Sequence, residues 1–408
     1  MADLDGRFRS LGRTPAPDLW DEIHRREPSP APGPSRGRRI LVAAVAFAVA
    51  IASVSLTMWI FRPGTTPPAP GATVRNGAIA FTSGDGRYHI ATVTLDGSVT
   101  ELSEPRGEDY DLSPVWSPEG TAIAFLRYTE YTGTEGEDAY DYELVVSRPD
   151  GTGIVDLDQP AANFAWSDDG SAIALSTFQK GSDYDVFVVR PDGSDRTSIV
   201  ATPLSDVQPS WSPAGDAIAF VSHPVLDRDP GDADIYVVRA DGTNVHRLTG
   251  SPEWDYSPVW SPDGTAIAYL SEHVDEREIY VMDPDGSGRT AVTDAPTNDV
   301  VDPVWSPDGT KIAFTVNSGS SWDVYIVNAD GTGQRALANS PLDETGPEWS
   351  PDASLVAYSA AQSGESCECD NAGTFDIYIV RPDGTGMRRL TNGVNELGGD
   401  LSWQRVSE

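Results

Sequence analysis

Residues 303–333 read PVWSPDGTKIAFTVNSGSSWDVYIVNADGTG, and a closely related phrase recurs along the chain. The tryptophan of this phrase marks each copy. Its seven positions are Trp116, Trp166, Trp211, Trp260, Trp305, Trp349 and Trp403. The intervals between them are 50, 45, 49, 45, 44 and 54 residues. Because a four-stranded propeller blade occupies about 40–50 residues, each interval predicts one blade.

Each repeat contains four candidate strands, which we name A to D. In residues 303–333, strand A ends at the tryptophan, strand B is the run 312–314 and strand C is the run 323–327. Strand D is a short Arg-Leu-Thr-like run, as at 247–249. Ser-Pro-Asp-Gly between A and B, and Asp-Gly-Thr-Gly between C and D, predict tight turns, because Pro, Asp and Gly each suit a turn position. The blade 3 copy, Ser167–Gly170, lacks the proline and predicts the least regular blade.

The two ends of the repeat region complement each other. A first B strand at Gly77–Phe81 has no tryptophan strand before it, and a last tryptophan strand at Leu401–Trp403 has no B strand after it. The sequence therefore predicts that the C-terminal strand completes blade 1, with Trp403 beside Ile79. Such closure removes the open ends that invite edge-to-edge pairing. The predicted fold class is all-β, a closed seven-bladed propeller over residues 77–406.

An uncharged apolar run of 22 residues lies at 40–61, and about 20 residues suffice to cross a bilayer core as a helix. Three arginines lie within residues 36–39, just before the run, whereas one follows it. The positive-inside rule therefore places the tail, 1–39, in the cytoplasm and the propeller outside, behind a Pro/Gly-rich linker at 62–76. A cleaved signal peptide is the alternative. Its apolar core is normally about 7–15 residues, so the longer run favours an uncleaved signal anchor.

One segment of the tail, residues 18–27, predicts a short helix. Pro17 and Asp18 suit a helix start, and Leu19 and Ile23 fall on one face. Because so short a helix is unstable alone, the apolar stripe favours docking to a cytoplasmic partner or to the membrane surface. Disorder with an accidental pattern is the alternative.

The charge balance is strongly acidic. The chain carries 28 basic and 63 acidic residues, a formal net charge of −35. The tail itself is slightly basic, so the excess acid belongs to the remainder of the chain. Such a surface repels nucleic acid and anionic lipid and attracts cations or basic partner segments. An alternative interpretation is that the acidity only keeps a large β-protein soluble.

The two faces of the predicted propeller differ in their connections. The A–B and C–D turns share one face, and the B–C and D–A loops share the other. The turns are short and nearly identical, whereas the B–C loops are long and varied, as at 126–142, 221–234 and 359–376. Since a rigid scaffold with variable loops on one face usually binds there, we predict binding on the B–C/D–A face.

Acidic residues recur just before strand A, where they are predicted to ring the mouth of the central channel. They are Asp109, Asp111, Asp206, Asp255, Asp302, Glu344 and Asp400. A ring of carboxylates suits a basic segment of an extracytoplasmic protein or peptide and is also able to hold Ca²⁺. The alternative is that each acid caps backbone N–H groups within its own loop.

A second, weaker calcium pattern lies in the blade 4 B–C loop. Its carboxylates are Asp227, Asp229, Asp232 and Asp234. The pattern lacks the spaced bidentate glutamate of an EF-hand, so the sequence leaves metal binding open.

The two cysteines, Cys367 and Cys369, lie one residue apart in the blade 7 B–C loop. An oxidising exterior favours a disulfide, which in so tight a ring would be readily reduced. Metal capture with neighbouring acids, redox chemistry and cross-linking to a partner are the alternatives.

Catalytic patterns are weak. The histidines of the repeat region, His89, His223, His246 and His273, show no metal-ligand spacing, and no Gly-x-Ser-x-Gly elbow occurs. No spacing singles out a carboxylate pair for glycan hydrolysis. We therefore expect a binding protein that is not an enzyme and requires no cofactor.

The combination of Trp-Ser-Pro-Asp-Gly, Ile-Ala-Phe, Asp-Ile-Tyr-Val, Asp-Gly-Thr and Arg-Leu-Thr resembles the TolB-type, WD-repeat-like (PD-repeat) β-propeller family. The resemblance covers residues 77–406. It implies an extracytoplasmic binding propeller whose partners engage an acidic channel mouth; the family's namesake binds an envelope lipoprotein. That protein also has an α/β domain before its propeller, where this chain has its predicted anchor.

Three functional hypotheses follow. The leading one is a membrane-anchored propeller, with its N-terminus cytoplasmic, that binds a protein or peptide in the cell envelope. The second is a transmembrane sensor or regulator that signals through residues 1–39. The third is an enzyme acting on envelope glycans or peptides.

Overall fold

The computed structural model describes residues 74–84, 87–105, 107, 109–130, 140–178, 183–224, 233–250, 252–273, 276–293, 299–361, 375–393, 399 and 401–407. The predicted tail, the apolar run and the linker as far as residue 73 lie outside these residues. Within the described ranges, no helix is long and apolar enough to cross a membrane.

The described residues form seven four-stranded antiparallel sheets, the blades. Blade 1 contains β1 (Val74–Ser83), β2 (His89–Val93), β3 (Val99–Glu101) and β28 (Ser402–Ser407). Blade 2 contains β4 (Tyr110–Trp116), β5 (Ile123–Glu130), β6 (Tyr140–Ser147) and β7 (Val155–Pro160). Blade 3 contains β8 (Asn163–Trp166), β9 (Ile173–Phe178), β10 (Tyr184–Val189) and β11 (Thr197–Val200). Blade 4 contains β12 (Ser205–Trp211), β13 (Ala217–His223), β14 (Asp234–Arg239) and β15 (His246–Arg247). Blade 5 contains β16 (Trp254–Trp260), β17 (Ile267–His273), β18 (Glu276–Met282) and β19 (Thr290–Ala291). Blade 6 contains β20 (Val300–Trp305), β21 (Lys311–Asn317), β22 (Trp322–Asn328) and β23 (Arg335–Ala338). Blade 7 contains β24 (Glu344–Trp349), β25 (Val356–Ala361), β26 (Phe375–Val380) and β27 (Arg388–Arg389).

The chain ends close the ring as the sequence predicts. Strand β28 pairs with β1 to give the order β28-β1-β2-β3, and Trp403 lies opposite Ile79. Neighbouring A strands also contact each other, for example β28 with β4 and β12 with β16, and form the inner wall. The predicted fold, an all-β propeller of seven four-stranded blades, is confirmed.

The Ser-Pro-Asp-Gly turns form through the bonds that their residues favour. In blade 6, Ser306 Oγ accepts a hydrogen bond from the Lys311 N–H at 2.9 Å and donates one to Asp308 Oδ1 at 2.6 Å. Asp308 Oδ1 also accepts from the Thr310 N–H at 3.0 Å. Gly309 has φ 69°, a conformation that glycine adopts without strain. The proline-free turn of blade 3 keeps the same bonds, although its A strand, β8, is only four residues long.

The hydrophobic core lies between blades. One cluster joins Leu270 and Ile279 of blade 5 to Trp305 and Phe314 of blade 6. Equivalent clusters join blades 1–2, 2–3, 4–5, 6–7 and 7–1. Each blade is therefore stabilised mainly by its neighbours, which explains why the repeat must be sealed into a ring.

Candidate functional site

The turn face of the propeller is built from self-contained hydrogen bonds. In every C–D turn an aspartate Oδ1 accepts from the N–H two residues later, as Asp330 does from Thr332 at 2.9 Å. The hydrogen bond from the Thr332 hydroxyl, together with that N–H, lowers the pKa of Asp330. Because these polar groups bind one another, this face presents seven nearly identical hairpins. The described members of the predicted acidic ring belong to the opposite, B–C/D–A face.

A β-bulge interrupts five of the A strands on the inner wall. The bulge lies three residues before the tryptophan, and its residue has a left-handed φ of 55–60°. These residues are Ser113, Gln208, Ser257, Asp302 and Gly346. Several donate their N–H to a side chain of the preceding blade: Ser113 to Thr82 Oγ1 at 3.1 Å and Ser257 to Gln208 Oε1 at 2.8 Å. The bulges thus link consecutive blades, and they separate the predicted acidic ring into distinct positions.

Four of the predicted acids occupy the position five residues before the tryptophan, and all four are buried. They are Asp111, Asp206, Asp255 and Glu344. Two of them pair with arginines from the same blade. Arg127 holds Asp111 with two bonds, Nε to Oδ1 at 2.7 Å and Nη2 to Oδ2 at 2.9 Å. Asp255 accepts from Ser271 Oγ at 2.6 Å and from Arg289 Nη2 at 3.2 Å. These two carboxylates are therefore held by arginine and serine side chains of their own blades.

The other two buried acids are held by hydroxyl and backbone donors. Asp206 accepts from Ser222 Oγ at 2.6 Å and from Thr202 Oγ1 at 2.9 Å. Glu344 accepts from the Ser340 N–H at 2.9 Å. Burial raises the pKa of each carboxyl to about 7, because these bonds offset only part of the lost hydration.

Replacement of Asp206 by asparagine is expected to flatten the dependence of stability on pH. Because the folded pKa lies above the ordinary value of 3.8, the carboxyl favours the folded state most at low pH, and this contribution is lost as pH rises through 7. Asp206→Asn should therefore remove about 2 kcal/mol of the fall in unfolding free energy between about pH 5 and 8. Urea unfolding at a series of pH values measures the slope. The control is Asp195→Asn, which removes an exposed charge at a left-handed position that asparagine tolerates. An unchanged slope in Asp206→Asn would contradict the expectation.

Two further predicted acids, Asp109 and Asp302, are described elsewhere on the same face. Asp109 precedes β4 and is half-buried. Asp302 is buried at the bulge of β20, with φ 58°. Asp400 lies outside the described residues. The predicted ring is therefore divided. Four of its acids are buried and hydrogen-bonded, whereas Asp109 lies near a loop and Asp302 lies at the inner wall.

The second calcium pattern is described only at its last member. Asp234 is buried, where its Oδ2 accepts from Arg247 Nη2 at 2.6 Å and its Oδ1 faces Thr249 Oγ1. Asp227, Asp229 and Asp232 lie outside the described residues, as do Cys367 and Cys369. Across the described ranges, no group of three or more His, Cys, Asp or Glu residues is arranged to hold a metal ion.

A row of tyrosines on this face was not predicted from the sequence. Tyr110, Tyr128 and Tyr142 are direct cross-strand partners on β4, β5 and β6, and Tyr88 of blade 1 extends the row. Successive ring centroids are 5.8, 5.4 and 5.4 Å apart. The pairing of Tyr128 with Tyr142 across one hairpin was the available signal, since aromatic pairs at facing positions stabilise sheets.

The repeat region matches a family model described as the TolB beta propeller domain (PD40), over residues 75–249, 128–367 and 257–396. This chain belongs to the TolB β-propeller family. Trp305 and its equivalents, the turn aspartates and the Arg-Leu-Thr runs are therefore the structural residues of a TolB-type repeat.

Two curated relatives of this TolB-type chain have TolB in their names. The "Protein TolB homolog" of Chlorobium luteolum is 31% identical over 147 residues, 35% of this chain and 31% of that protein. The "Tol-Pal system protein TolB" of Anaeromyxobacter dehalogenans (strain 2CP-C) is 31% identical over 134 residues, 32% of this chain and 28% of that protein. The match thus spans only about three tenths of each relative's length.

A solved structure agrees with the TolB-type fold. The β-propeller domain of the Trilobed protease from Pyrococcus furiosus superposes with a TM-score of 0.55 at 16% identity, covering 79% of this chain and 98% of that one. That domain has an open velcro topology. In the present TolB-type propeller, by contrast, β28 pairs with β1 and closes blade 1.

Proposed function

We propose that this TolB-type chain is a membrane-anchored propeller that binds a partner protein outside the cytoplasm through its B–C/D–A face. The observation that carries the proposal is the difference between the faces. One face carries the short, self-bonded A–B and C–D turns, whereas the other combines the longer loops, the acids of the inner wall and a row of half-buried tyrosines. The name of the Anaeromyxobacter dehalogenans relative, which places that protein in the Tol-Pal system, supports a protein partner.

The buried acids serve this proposal by fixing the loops. Asp206 ties the D–A loop to β13 through Thr202 and Ser222. Glu344 ties its own D–A loop through Ser340. Loops held in one geometry lose less entropy when a partner binds. The charge that meets a basic partner segment then comes from acids nearer the surface and the inner wall, Asp109 and Asp302.

The anchor rests on the sequence. The apolar run 40–61 follows an arginine cluster, which places the tail inside and the propeller outside. We propose that the run holds the propeller at the cell membrane and that the linker spaces it from the surface.

The first experiment is a cross-linked capture from membranes, comparing the full chain with a variant that lacks residues 1–39. We expect both to capture the same extracytoplasmic protein, because the propeller supplies the binding face. A cytoplasmic regulator captured by the full chain alone would favour the sensor hypothesis instead. Failure of the full chain to capture any extracytoplasmic protein would overturn the proposal. Captures with Ca²⁺ and with a chelator report whether that ion assists.

Neutralising Asp109 and Asp302 should weaken capture of the partner without unfolding the protein. Asp109→Asn with Asp302→Asn removes two charges while keeping the shapes, and asparagine tolerates the left-handed φ of residue 302. We expect the affinity for the captured partner to fall about tenfold, from the loss of rim ion pairs. The control is Asp150→Asn with Asp330→Asn, which removes two charges from the turn face. Equal losses in both variants would show that net charge, and not this face, carries binding.

A further inference from the structure

The tyrosine row lies where a partner on the B–C/D–A face would pass. Tyr110 begins β4, Tyr128 lies near the end of β5 and Tyr142 lies near the start of β6, so all three are at the loop ends of their strands. Tyr142 packs on the core between blades 2 and 3. All three are half-buried. The rings are therefore held by packing below and reach solvent above.

Blade 3 extends this aromatic surface by one repeat. Phe178 occupies the same register as Tyr128, five residues after the first isoleucine of strand B, and pairs with Tyr184 across the hairpin. Their ring centroids are 5.4 Å apart. Phe178 is 51% exposed, so about half of its surface is open to solvent.

The extension stops there in the described blades. The residues at the same register in later blades are His223, Glu272, Asn317 and Ala361. Blades 5 and 6 place a single aromatic residue at this level, Trp254 opposite Glu272 and Trp322 opposite Asn317, whereas blades 2 and 3 place aromatic residues on both paired strands. Paired rings at this register therefore mark one side of the face. We name Tyr88, Tyr110, Tyr128, Tyr142, Phe178 and Tyr184 the aromatic arc.

Carboxylates flank the blade 2 part of the arc. Arg127 follows Leu126 and precedes Tyr128, and its pKa is raised by its hydrogen bond to Asp111 and by the charges of Asp111, Asp156 and Asp109. Because Asp111 takes both bonds of that arginine, one cation faces several acids. The local field therefore favours an additional positive charge.

Carboxylates flank the blade 3 part as well. Asp183 and Asp185 stand on either side of Tyr184 in β10 and its approach. Burial, together with the charge of Asp183, raises the pKa of Asp185 to about 6. Asp185 in turn raises the pKa of Asp206, after the larger effect of burial. These acids crowd one another, so a cation placed among them would be stabilised.

We propose that the aromatic arc binds an extended, arginine-bearing segment of the partner protein. The inference rests on the proposed function and names the part of the face and the chemistry of the occupant. A guanidinium stacks on aromatic rings and pairs with carboxylates, and the arc offers both. Arginines two residues apart in an extended segment point to the same side, so both are able to face the arc.

The test uses the full chain in detergent and three short peptides. The probe is acetyl-Gly-Arg-Gly-Arg-Gly-amide; its counterparts carry lysine or neutral citrulline in place of arginine. Fluorescence anisotropy at physiological salt gives the affinities. We expect the arginine peptide to bind at least tenfold more tightly than the citrulline peptide, with lysine between them. Hydrogen exchange should show protection at residues 109–130 and 183–189.

Variants then test whether binding depends on the rings of the arc or only on the negative charge of the protein. Tyr128→Ser with Phe178→Ser leaves the net charge unchanged and should weaken the arginine peptide about tenfold. The matched control is Met387→Ser, since Met387 is also 51% exposed but lies beside a C–D turn on the opposite face. Tyr128→Phe with Phe178→Tyr retains both rings and should retain binding, which guards against a folding defect in the serine variant.

Three results would overturn the proposal that the arc binds an arginine-bearing segment. They are absence of arginine-peptide binding, equal binding of the citrulline peptide, and full binding by the serine variant. A preference for an N-acetylglucosamine oligomer at the same protected residues would likewise replace the peptide by a glycan. If the membrane capture still succeeds, only the arc fails and the proposed function stands. If the full chain captures no extracytoplasmic partner, the proposed function itself fails.

Discussion

Removal of strand β28, by deletion of residues 401–408, is expected to abolish the cooperative unfolding transition of the propeller. The strand supplies the inner edge of blade 1, and its Trp403 packs with Ile79 and Phe81 of that blade and Ile377 of blade 7. Trp403→Ala alone should cost about 3–5 kcal/mol, a large share of the stability of a typical domain. Calorimetry and urea unfolding measure both variants.

The contacts of β28 with other blades explain why the effect should spread around the ring. Ser402 Oγ accepts from the Trp116 N–H at 3.0 Å, and Gln404 Nε2 donates to the Gly120 carbonyl at 2.9 Å, both in blade 2. On the other side, the Trp403 N–H faces Glu348 of blade 7 at 3.4 Å. Loss of the strand would therefore expose the cluster between blades 7 and 1, remove the bonds to blade 2 and leave the edge of β1 unpaired.

A milder change in the same strand provides the control. Val406 lies near the end of β28 and is exposed, so Val406→Ala should cost under about 1 kcal/mol. A truncated chain that melts like the wild type would contradict closure by β28. So would equal effects of Val406→Ala and Trp403→Ala.

Much of this fold could be predicted because the repeat encodes it locally. Each turn needs only the residues of its own Ser-Pro-Asp-Gly or Asp-Gly-Thr-Gly run, as the bonds around Ser306 and Asp308 show. Closure was also accessible, since the unmatched strands at the two ends of the repeat had one way to satisfy each other. The pairing of Ile79 with Trp403 confirms that inference.

The candidate site was less accessible because burial depends on register. Acids just before strand A form one group in the sequence, but the bulge at Ser113 and its equivalents changes which side of the strand each position faces. The sequence offset between paired positions on strands A and B would have identified the partners of the buried acids. Arg127 follows Asp111, and Ser271 follows Asp255, by the same 16 residues. Such partners are visible once strands A and B are aligned.

The second large effect on stability is expected at Arg127, the ion-pair partner of Asp111. Arg127→Ala is expected to lower the free energy of unfolding by about 3–5 kcal/mol, because the fully buried Asp111 carboxylate would lose its charged partner. Urea unfolding measures the loss. The matched control is Arg190→Ala, whose ion pair with Asp195 is equally short at 2.7 Å but exposed, so its loss should cost under about 1 kcal/mol.

A double variant tests whether charge, and not the arginine itself, is responsible. Asp111→Leu with Arg127→Met removes both charges and fills similar volume, so much of the lost stability should return. If Arg127→Ala costs no more than Arg190→Ala, the Asp111 carboxylate must reach solvent when its partner is absent. Asp111 would then rejoin Asp109 and Asp302 among the acids available to a basic partner. If the large loss is observed, Asp111 belongs to the framework of the face, and recognition falls to Asp109, to Asp302 at the inner wall and to the aromatic arc.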